Sequence, residues 1–419
     1  MSFCKRVICG KVIILFGTIA ILLLIFMPAR HVSLSDLEHV ITNMCKNHAK
    51  TPLPESLKVS YLFGMNDTLI KSDTRLKEDV WANLPAKGAF YMMTRNEDLM
   101  KARMTMKSIE ERFNSKLNST YPWIFLNNQP FTSEFKRFIK RTATNPDQVY
   151  FGHVDLDAWN YPPWIDGVRS QALFSSFRDV VTPRVSRPSY GNYLRYQSGL
   201  FFYHPLFDDV DYVWRVDAGS TYHCEMFMDD PFVTMQTNNK SVGFALTEKA
   251  TSEITLFSLW PVTNHFMGLY PHLIEPSEDS IFSWLMNNNN EYNYCQISTS
   301  FEIVNLSFLR SEEYRTLFYY LDLVGGFFYE RWTDAAVRTI ATALFLNRQD
   351  IHFFNDVAFT LNDKAHCPLD FTLLERCSCD YKDSFNYRKS SCTLDLLQLI
   401  DPASIDDMVS FAKTVLSQK

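Results

Sequence analysis

The chain has 419 residues, of which 46% are hydrophobic, and a formal net charge of -6. That length and apolar content allow one large or two ordinary domains with a substantial buried core. The mildly acidic balance excludes the basic face that nucleic-acid recognition needs, so we expect no nucleic-acid partner.

The N-terminus predicts a membrane anchor. Lys5 and Arg6 precede an apolar run over 7–27, close to the roughly 20 residues that a spanning helix needs. Basic residues before such a run place the short tail, 1–6, in the cytosol. The residues at 27–30 (MPAR) make a poor cleavage site, which favours a signal anchor over a cleaved signal peptide. We therefore expect a single-pass type II membrane protein whose remaining chain is luminal.

Sequons and cysteines agree with a luminal location. N-x-S/T sequons begin at four asparagines: Asn66, Asn118, Asn239 and Asn305. The seven cysteines beyond the anchor are Cys45, Cys224, Cys295, Cys367, Cys377, Cys379 and Cys392. In an oxidising lumen we expect them to form disulfides with one cysteine left over. A zinc site at the C-x-C pair, 377–379, with Cys367 or Cys392 is the alternative, but this spacing disfavours it.

A stem separates the predicted anchor from the folded part. Residues 28–84 are polar, contain Pro52 and Pro54 and lack sustained periodicity. This composition is typical of a spacer that holds a domain away from the membrane. We therefore place one folded domain at 85–419.

The folded domain opens with a β-α-β pattern. Two apolar runs, at 89–94 and 123–126, flank a helical stripe at 97–113. The pattern predicts a parallel sheet with helices on its faces, whose ligands bind at the carboxyl ends of the strands. Arg95 follows the first strand and is a candidate contact for an anionic ligand, with a plain surface arginine as the alternative. No G-x-G-x-x-G or P-loop motif supports a dinucleotide or ATP site.

A carboxylate ends a central strand. Arg215 and Asp217 share one face of the alternating run 211–217 (DYVWRVD), and Asp217 meets an Ala-Gly turn. Nucleotide-sugar transferases hold a divalent metal against a diphosphate with such a carboxylate. The literal D-x-D triplets at 155–157 and 209–211 do not end an apolar strand, so we treat them as chance.

Two further carboxylates lie in a strand–helix–helix pattern. The residues predict a strand at 301–309, a helix at 311–324, a Gly-Gly turn and a second helix at 335–346. Alternation places Glu302 among apolar side chains, where a carboxylate is costly unless it is paired or used. Asp334 stands just before the second helix. The two are a candidate acid–base pair for sugar chemistry, with a structural ion pair and a helix N-cap as the alternatives.

Eight sequence blocks lie in collinear order between Lys87 and Leu394. They are ERFN (111–114), YPWIFLN (121–127), PFTSEFKR (130–137), YPPWID (161–166), YVWRVD (212–217), FEIVNLSFLRSEEY (301–314), GGFFYERWTDAAV (325–337) and CPLD (367–370). Together they resemble the fungal Golgi α-1,2-mannosyltransferases of glycosyltransferase family 15. The resemblance implies an α/β fold of the GT-A type, with a mixed, mostly parallel sheet flanked by helices.

The resemblance also implies a reaction and residue roles. Family members transfer mannose from GDP-mannose to α-mannosides on O- or N-linked glycoproteins, with retention at the anomeric carbon and with Mn²⁺. Glu302 matches the family's proposed nucleophile, and Asp334 matches a second acidic group. Arg95, Tyr190 and Arg195 are the implied donor-binding residues. A Golgi membrane location is implied as well.

The metal side departs from the family pattern. The family has Glu-Pro where this chain has Asp217 and an Ala-Gly turn, and Leu361 replaces a histidine ligand. Asp217 remains an oxygen ligand, whereas leucine cannot bind a metal. His352, Asp363 or His366 are candidate substitutes; otherwise Asp217, the donor diphosphate and water hold the ion. The alternative function is a degenerate paralogue that binds a glycan or a partner without turnover.

Overall fold

The computed structural model describes residues 75–176, 188–226, 229–250, 253–388 and 390–417. The predicted tail, the anchor and most of the stem lie outside these ranges, as do Asn66 and Cys45. Within them, no helix combines the length and apolar character needed to cross a membrane.

Twelve strands are present in the described ranges. They are β1 (Gly88–Met93), β2 (Trp123–Asn127), β3 (Val149–His153), β4 (Tyr212–Val216), β5 (Thr221–Tyr222), β6 (Val242–Phe244), β7 (Thr247–Lys249), β8 (Cys295–Ile297), β9 (Phe301–Asn305), β10 (Ile351–Phe353), β11 (Phe359–Leu361) and β12 (Lys364–His366).

Fourteen α-helices occur in the same ranges. They are α1 (Leu99–Arg112), α2 (Ser133–Lys140), α3 (Leu156–Trp159), α4 (Gly167–Ser176), α5 (Pro188–Gly199), α6 (Pro231–Thr237), α7 (Leu259–Leu269), α8 (Leu306–Leu309), α9 (Glu312–Val324), α10 (Gly326–Tyr329), α11 (Asp334–Phe345), α12 (Phe371–Leu374), α13 (Thr393–Ile400) and α14 (Pro402–Ser417).

Seven strands form the main sheet, in the order β10-β6-β9-β4-β1-β2-β3. Strand β9 runs antiparallel to β4 and β6, whereas the other neighbouring strands are parallel. The predicted α/β fold with a mixed, mostly parallel sheet is therefore confirmed. Because β9 is reversed, its first residues lie at the same edge of the sheet as the last residues of β4 and β6.

Aromatic side chains fill one face of this sheet. Phe90 on β1 stacks on Trp123 of β2 at 4.5 Å and contacts Trp214 of β4 at 5.2 Å between ring centroids. A Cβ on Gly88 would lie 2.5 Å from the ring of Phe232, so the glycine admits that ring against β1. The central strands are consequently buried along almost their whole length, as parallel strands covered on both faces usually are.

The predicted strand at 301–309 is wrong in its second half. Strand β9 ends at Asn305, whose side chain accepts a hydrogen bond from the Ser307 amide and begins the short helix α8. The apolar residues at 306–309 remain mostly buried, but as a helical turn. A continuous apolar run does not by itself distinguish the two conformations.

Three disulfides occur in the described residues. Cys224–Cys377 and Cys295–Cys392 tie the C-terminal segment to the rest of the domain, whereas Cys367–Cys379 closes a short loop within that segment. The prediction of disulfides is confirmed for the described cysteines. The zinc alternative is wrong, because Cys377 and Cys379 are each bonded to a different partner.

Candidate active site

A pocket of about 400 Å³ opens at the carboxyl ends of β1 and β2, and we call it the edge pocket. Thr94 follows β1 and Asn127 ends β2, and both side chains line the pocket. Both residues are at least 95% buried, yet Thr94 Oγ1 and Asn127 Nδ2 have no hydrogen-bond partner in the described residues. Buried polar groups are normally hydrogen bonded, so these atoms mark a place where a polar ligand fits.

Two of the predicted donor contacts meet at the edge pocket. Arg95 is exposed beside it and donates a hydrogen bond to Ser189 Oγ at 3.4 Å. Tyr190 lies in the wall contributed by α5, and its ring stacks on Tyr193 with centroids 6.0 Å apart. The pocket also contains Lys101, from the first turn of α1, which sequence reasoning did not single out.

Arg195, the third predicted donor contact, lies elsewhere. Its guanidinium is fully buried and pairs with both carboxylate oxygens of Asp322, at 2.7 and 2.9 Å. The remaining terminal nitrogen donates to the Ala158 carbonyl at 3.1 Å. These contacts join α5 to α9 and favour a structural role for Arg195 over contact with the donor.

Five charged side chains form a charged cluster at the carboxyl edge of the sheet: Asp217, Arg215, Asp334, Arg338 and Glu302. Arg215 is central, since it donates to Asp334, to Asp217 Oδ1 at 3.3 Å and to the Tyr193 hydroxyl at 3.0 Å. Tyr193 also lines the edge pocket. The Arg215–Tyr193 hydrogen bond therefore connects the pocket to the cluster.

Asp334 is not the N-cap of α11. Thr333 takes that position, and its side chain accepts a hydrogen bond from the Ala336 amide. Asp334 is buried, forms an ion pair with Arg215 and accepts a hydrogen bond from Thr299 Oγ1 at 3.0 Å. Burial raises the pKa of Asp334, but the Arg215 guanidinium opposes this effect and the net pKa is lowered. Asp334 is therefore a carboxylate at neutral pH.

Glu302 reaches the cluster because β9 is antiparallel. The strand register places it opposite Arg215 on β4 and Phe244 on β6. It is 1% exposed, and its Oε1 lies 3.1 Å from Arg338 Nε in an ion pair, although these two atoms do not form a hydrogen bond. Burial raises the pKa of Glu302, and the Arg338 charge only partly opposes it. Such a poorly solvated carboxylate is a candidate functional group.

The predicted metal position at Asp217 has few side chains that could bind a metal ion. Strand β11 pairs with β5, and a Cβ at Gly219 would lie 3.8 Å from a Leu361 methyl group. Leu361 therefore lies beside the turn that follows Asp217. The Asp217 side chain is 28% exposed and is bound by Arg215. No group of three His, Cys, Asp or Glu side chains suited to a metal ion occurs in the described residues.

The substitutes considered from the sequence do not complete a metal site. His366 is fully buried, with Nε2 3.0 Å from the Asn355 carbonyl and Nδ1 2.8 Å from Asn386 Nδ2. His352 lies on β10, which β6 and β9 separate from β4. Asp363 is exposed in the turn between β11 and β12. Among the residues that the structure describes, Asp217 is thus the carboxylate at this turn, and these residues do not fit a metal site built by the protein alone.

Around the charged cluster, sequence reasoning did not assign a role to Arg215, Arg338 or Thr299. Arg215 was recoverable, because strand alternation places it on the same face as Asp217. Arg338 was recoverable as well, because it lies four residues after Asp334 and therefore on the same helix face. No local signal identifies Thr299, since its contact depends on how the loop before β9 packs against α11.

Basic and polar side chains around a pocket, with buried carboxylates at the carboxyl edge of a mixed sheet, define the class as an α/β glycosyltransferase. The family model described as "Glycolipid 2-alpha-mannosyltransferase" matches residues 63–400. The chain belongs to this family.

Relatives and solved structures agree with this family assignment. The O-glycoside alpha-1,2-mannosyltransferase omh1 of Schizosaccharomyces pombe is 36% identical over 311 residues, which are 74% of this chain and 78% of that protein. The mannosyltransferase Ktr4p of Saccharomyces cerevisiae, solved in complex with GDP, has a TM-score of 0.72 and 29% identity, covering 89% of this chain and 100% of that one. Core-mannan synthase A of Aspergillus fumigatus, in a Mn/GDP form, has a TM-score of 0.70 and 29% identity, covering 76% and 86%.

Proposed function

We propose that the protein is a retaining α-mannosyltransferase that moves mannose from GDP-mannose to an α-mannoside, forming an α-1,2 linkage on O- or N-linked glycans. The observation that carries the proposal is the connection between the edge pocket and the charged cluster through Tyr193 and Arg215. A nucleotide-sugar bound in the edge pocket would lie against the unpaired polar groups of the pocket wall at one end. Its other end would lie near the buried carboxylates of the charged cluster. Family membership and the GDP complex of Ktr4p support this donor.

The proposed division of labour follows from charge and burial. Arg95 and Tyr190, which line the edge pocket, bind the nucleotide diphosphate end of the donor. Glu302 attacks or stabilises the anomeric carbon from the face opposite the leaving GDP as the C1–O bond breaks. Asp334, held as a carboxylate by Arg215, accepts the proton of the acceptor hydroxyl as the new C1–O bond forms.

A divalent metal would have limited support from the described side chains of this chain. A divalent ion, when bound, neutralises charge on the leaving diphosphate. Asp217 is the residue that would bind it, as an oxygen ligand at the end of β4. The alternative of a binding protein without turnover is not favoured, because both candidate carboxylates are present, buried and paired with arginines.

The proposed location follows from the sequence and not from the described structure. The predicted anchor at 7–27 and stem at 28–84 support a luminal catalytic domain, and membership of the mannosyltransferase family supports the Golgi apparatus, where mannosylated glycoproteins are the acceptors. Protease protection of the folded domain in intact microsomes tests this topology. Digestion of the domain without detergent contradicts it.

Replacement of Glu302 tests the proposed chemistry. Glu302→Gln retains the size of the side chain but removes the charge, so we expect loss of mannosyl transfer with GDP binding retained. Glu312→Gln, at the exposed first turn of α9, is the matched control and should transfer mannose normally. Turnover by Glu302→Gln equal to that of the unmodified protein refutes the assignment.

A further inference from the structure

We propose that this chain holds the donor diphosphate chiefly with Lys101 and Arg95, so that GDP binds with little dependence on a divalent cation. The inference rests on the proposed function, because it concerns the same donor site. It differs from what the Mn/GDP form of core-mannan synthase A indicates for that relative.

The side chains near the end of β4 provide few ligands for a metal ion. Divalent cations of this type take about six oxygen or nitrogen ligands, and a carboxylate is the usual protein contribution. Asp217 supplies one carboxylate, and Arg215 already binds one of its oxygens at 3.3 Å. The adjacent Leu361 presents methyl groups, which contribute no ligand. A cation here would also lie near the positive charge of Arg215, which disfavours its binding.

Lys101 lies between the edge pocket and the turn that follows Asp217. Its Cδ would lie 3.8 Å from a Cβ on Gly219, so the lysine stem extends over the turn that follows Asp217. The same side chain lines the edge pocket. Lys101 therefore brings a positive charge to the part of the pocket where a metal-bound diphosphate would otherwise lie. A lysine ammonium is a common phosphate-binding group, because it offers a compact charge and three hydrogen-bond donors.

The charged groups of Arg95 and Lys101 are both accessible to a ligand. Arg95 and Lys101 are exposed, and within the described residues no carboxylate oxygen lies within 4.0 Å of either charged group. Glu97 and Asp98 also line the pocket, so the cations act through their position and not through a net positive charge. The unpaired Asn127 amide offers a further donor at the same wall.

The test is calorimetric titration of the full-length protein in detergent with GDP, once with excess EDTA and once with Mn²⁺. We expect the two dissociation constants to agree within about threefold, whereas Lys101→Ala weakens binding in EDTA by about tenfold or more. Lys107→Ala is the matched control, because Lys107 is an exposed lysine of the same helix that pairs with Glu111. The unfolding midpoint of each variant is measured and compared with that of the unmodified protein, to show that the variant is folded.

The outcomes separate this inference from the proposed function. GDP binding in Mn²⁺ but not in EDTA overturns the inference and leaves the mannosyltransferase proposal standing. No GDP binding under either condition overturns both. Equal weakening by Lys101→Ala and Lys107→Ala overturns the role of Lys101, because a general loss of positive charge then explains the effect. Arg95→Ala provides a second measurement if Lys101→Ala lowers the unfolding midpoint.

Discussion

Removal of the Arg338 charge should lower the free energy of unfolding, because Glu302 then remains buried without its ion-pair partner. The two side chains are each 2% exposed, and the guanidinium is the positive group nearest to the carboxylate. Arg338→Met retains most of the apolar stem and removes the charge. Breaking a buried pair by removing one partner typically costs about 3–5 kcal/mol, because the other charge is left without compensation.

The protonation of Glu302 limits that cost. At pH 7 a glutamate with its ordinary pKa of 4.5 can be protonated for about 3.4 kcal/mol, at about 1.36 kcal/mol for each pH unit. The variant then folds with neutral Glu302. Loss of the hydrogen bond from Arg338 Nη2 to the Gln197 carbonyl, 2.8 Å long, adds about 1 kcal/mol. Because burial already raises the pKa of Glu302 in the unmodified protein, the protonation cost is smaller than this value, and we expect a total loss of between about 1 and 4 kcal/mol at pH 7.

The loss should depend on pH in a defined direction. In the variant the pKa of Glu302 is raised further above its unfolded value, so the folded state binds the proton more tightly. Stability from that proton is fully present below about pH 4.5 and is lost as pH rises through the folded-state pKa. The difference from the unmodified protein should therefore shrink to about 1 kcal/mol near pH 4.5. Charged neighbours that also act on Glu302 are Arg215, Asp334 and Asp217.

Urea unfolding followed by tryptophan fluorescence measures these differences, since the chain has 8 tryptophans. The double variant Glu302→Gln/Arg338→Met is the control, because it contains neither charge and should recover most of the loss at pH 7. A loss below about 1 kcal/mol at pH 7, or a loss that does not change with pH, refutes the view that Arg338 compensates Glu302.

Three other outcomes follow from the structure. Leu361→His should make GDP affinity increase with Mn²⁺, and unchanged affinity in calorimetry argues against a ligand position there. His366, whose pKa burial lowers to about 4, contributes stability that is present above about pH 6.5 and lost as pH falls toward 4. His366→Gln should therefore flatten the decline in unfolding free energy between pH 7 and 5, and an unaltered slope contradicts this assignment. In protein that has passed through the secretory pathway, mass spectrometry of the glycopeptides should find glycans at the exposed Asn118 and Asn239 but not at Asn305, which caps α8. A glycan at Asn305 contradicts the packing.

The ends of the regular elements were largely predictable because local chemistry sets them. Ser311 caps α9 through the Tyr314 amide, and Gly325 ends that helix with a left-handed φ of 81°. Both signals are legible in the sequence. The end of β9 was missed because Asn305 reads equally well as a strand residue and as a cap, and the apolar residues after it continue the strand pattern.

The sequence indicated the positions of the carboxylates of the candidate site better than the positions of its basic side chains. Arg195 lies two positions after Tyr193 on α5, which is about 200° around the helix, so the two side chains point to different sides. Tyr190 and Tyr193 are three positions apart and share the face toward the edge pocket. The pairing of Glu302 with Arg338 depends on the direction of β9 within the sheet, which no local pattern specifies.

The stereochemistry of the product tests the central claim most directly. The full-length protein is incubated with GDP-mannose and a methyl α-mannoside, with and without Mn²⁺, and the disaccharide is examined by NMR. The account predicts an α-1,2-linked product, and no product from Glu302→Gln. A β-linked product, or an absence of transfer by protein that binds GDP, contradicts a retaining mannosyltransferase built around Glu302 and Asp334.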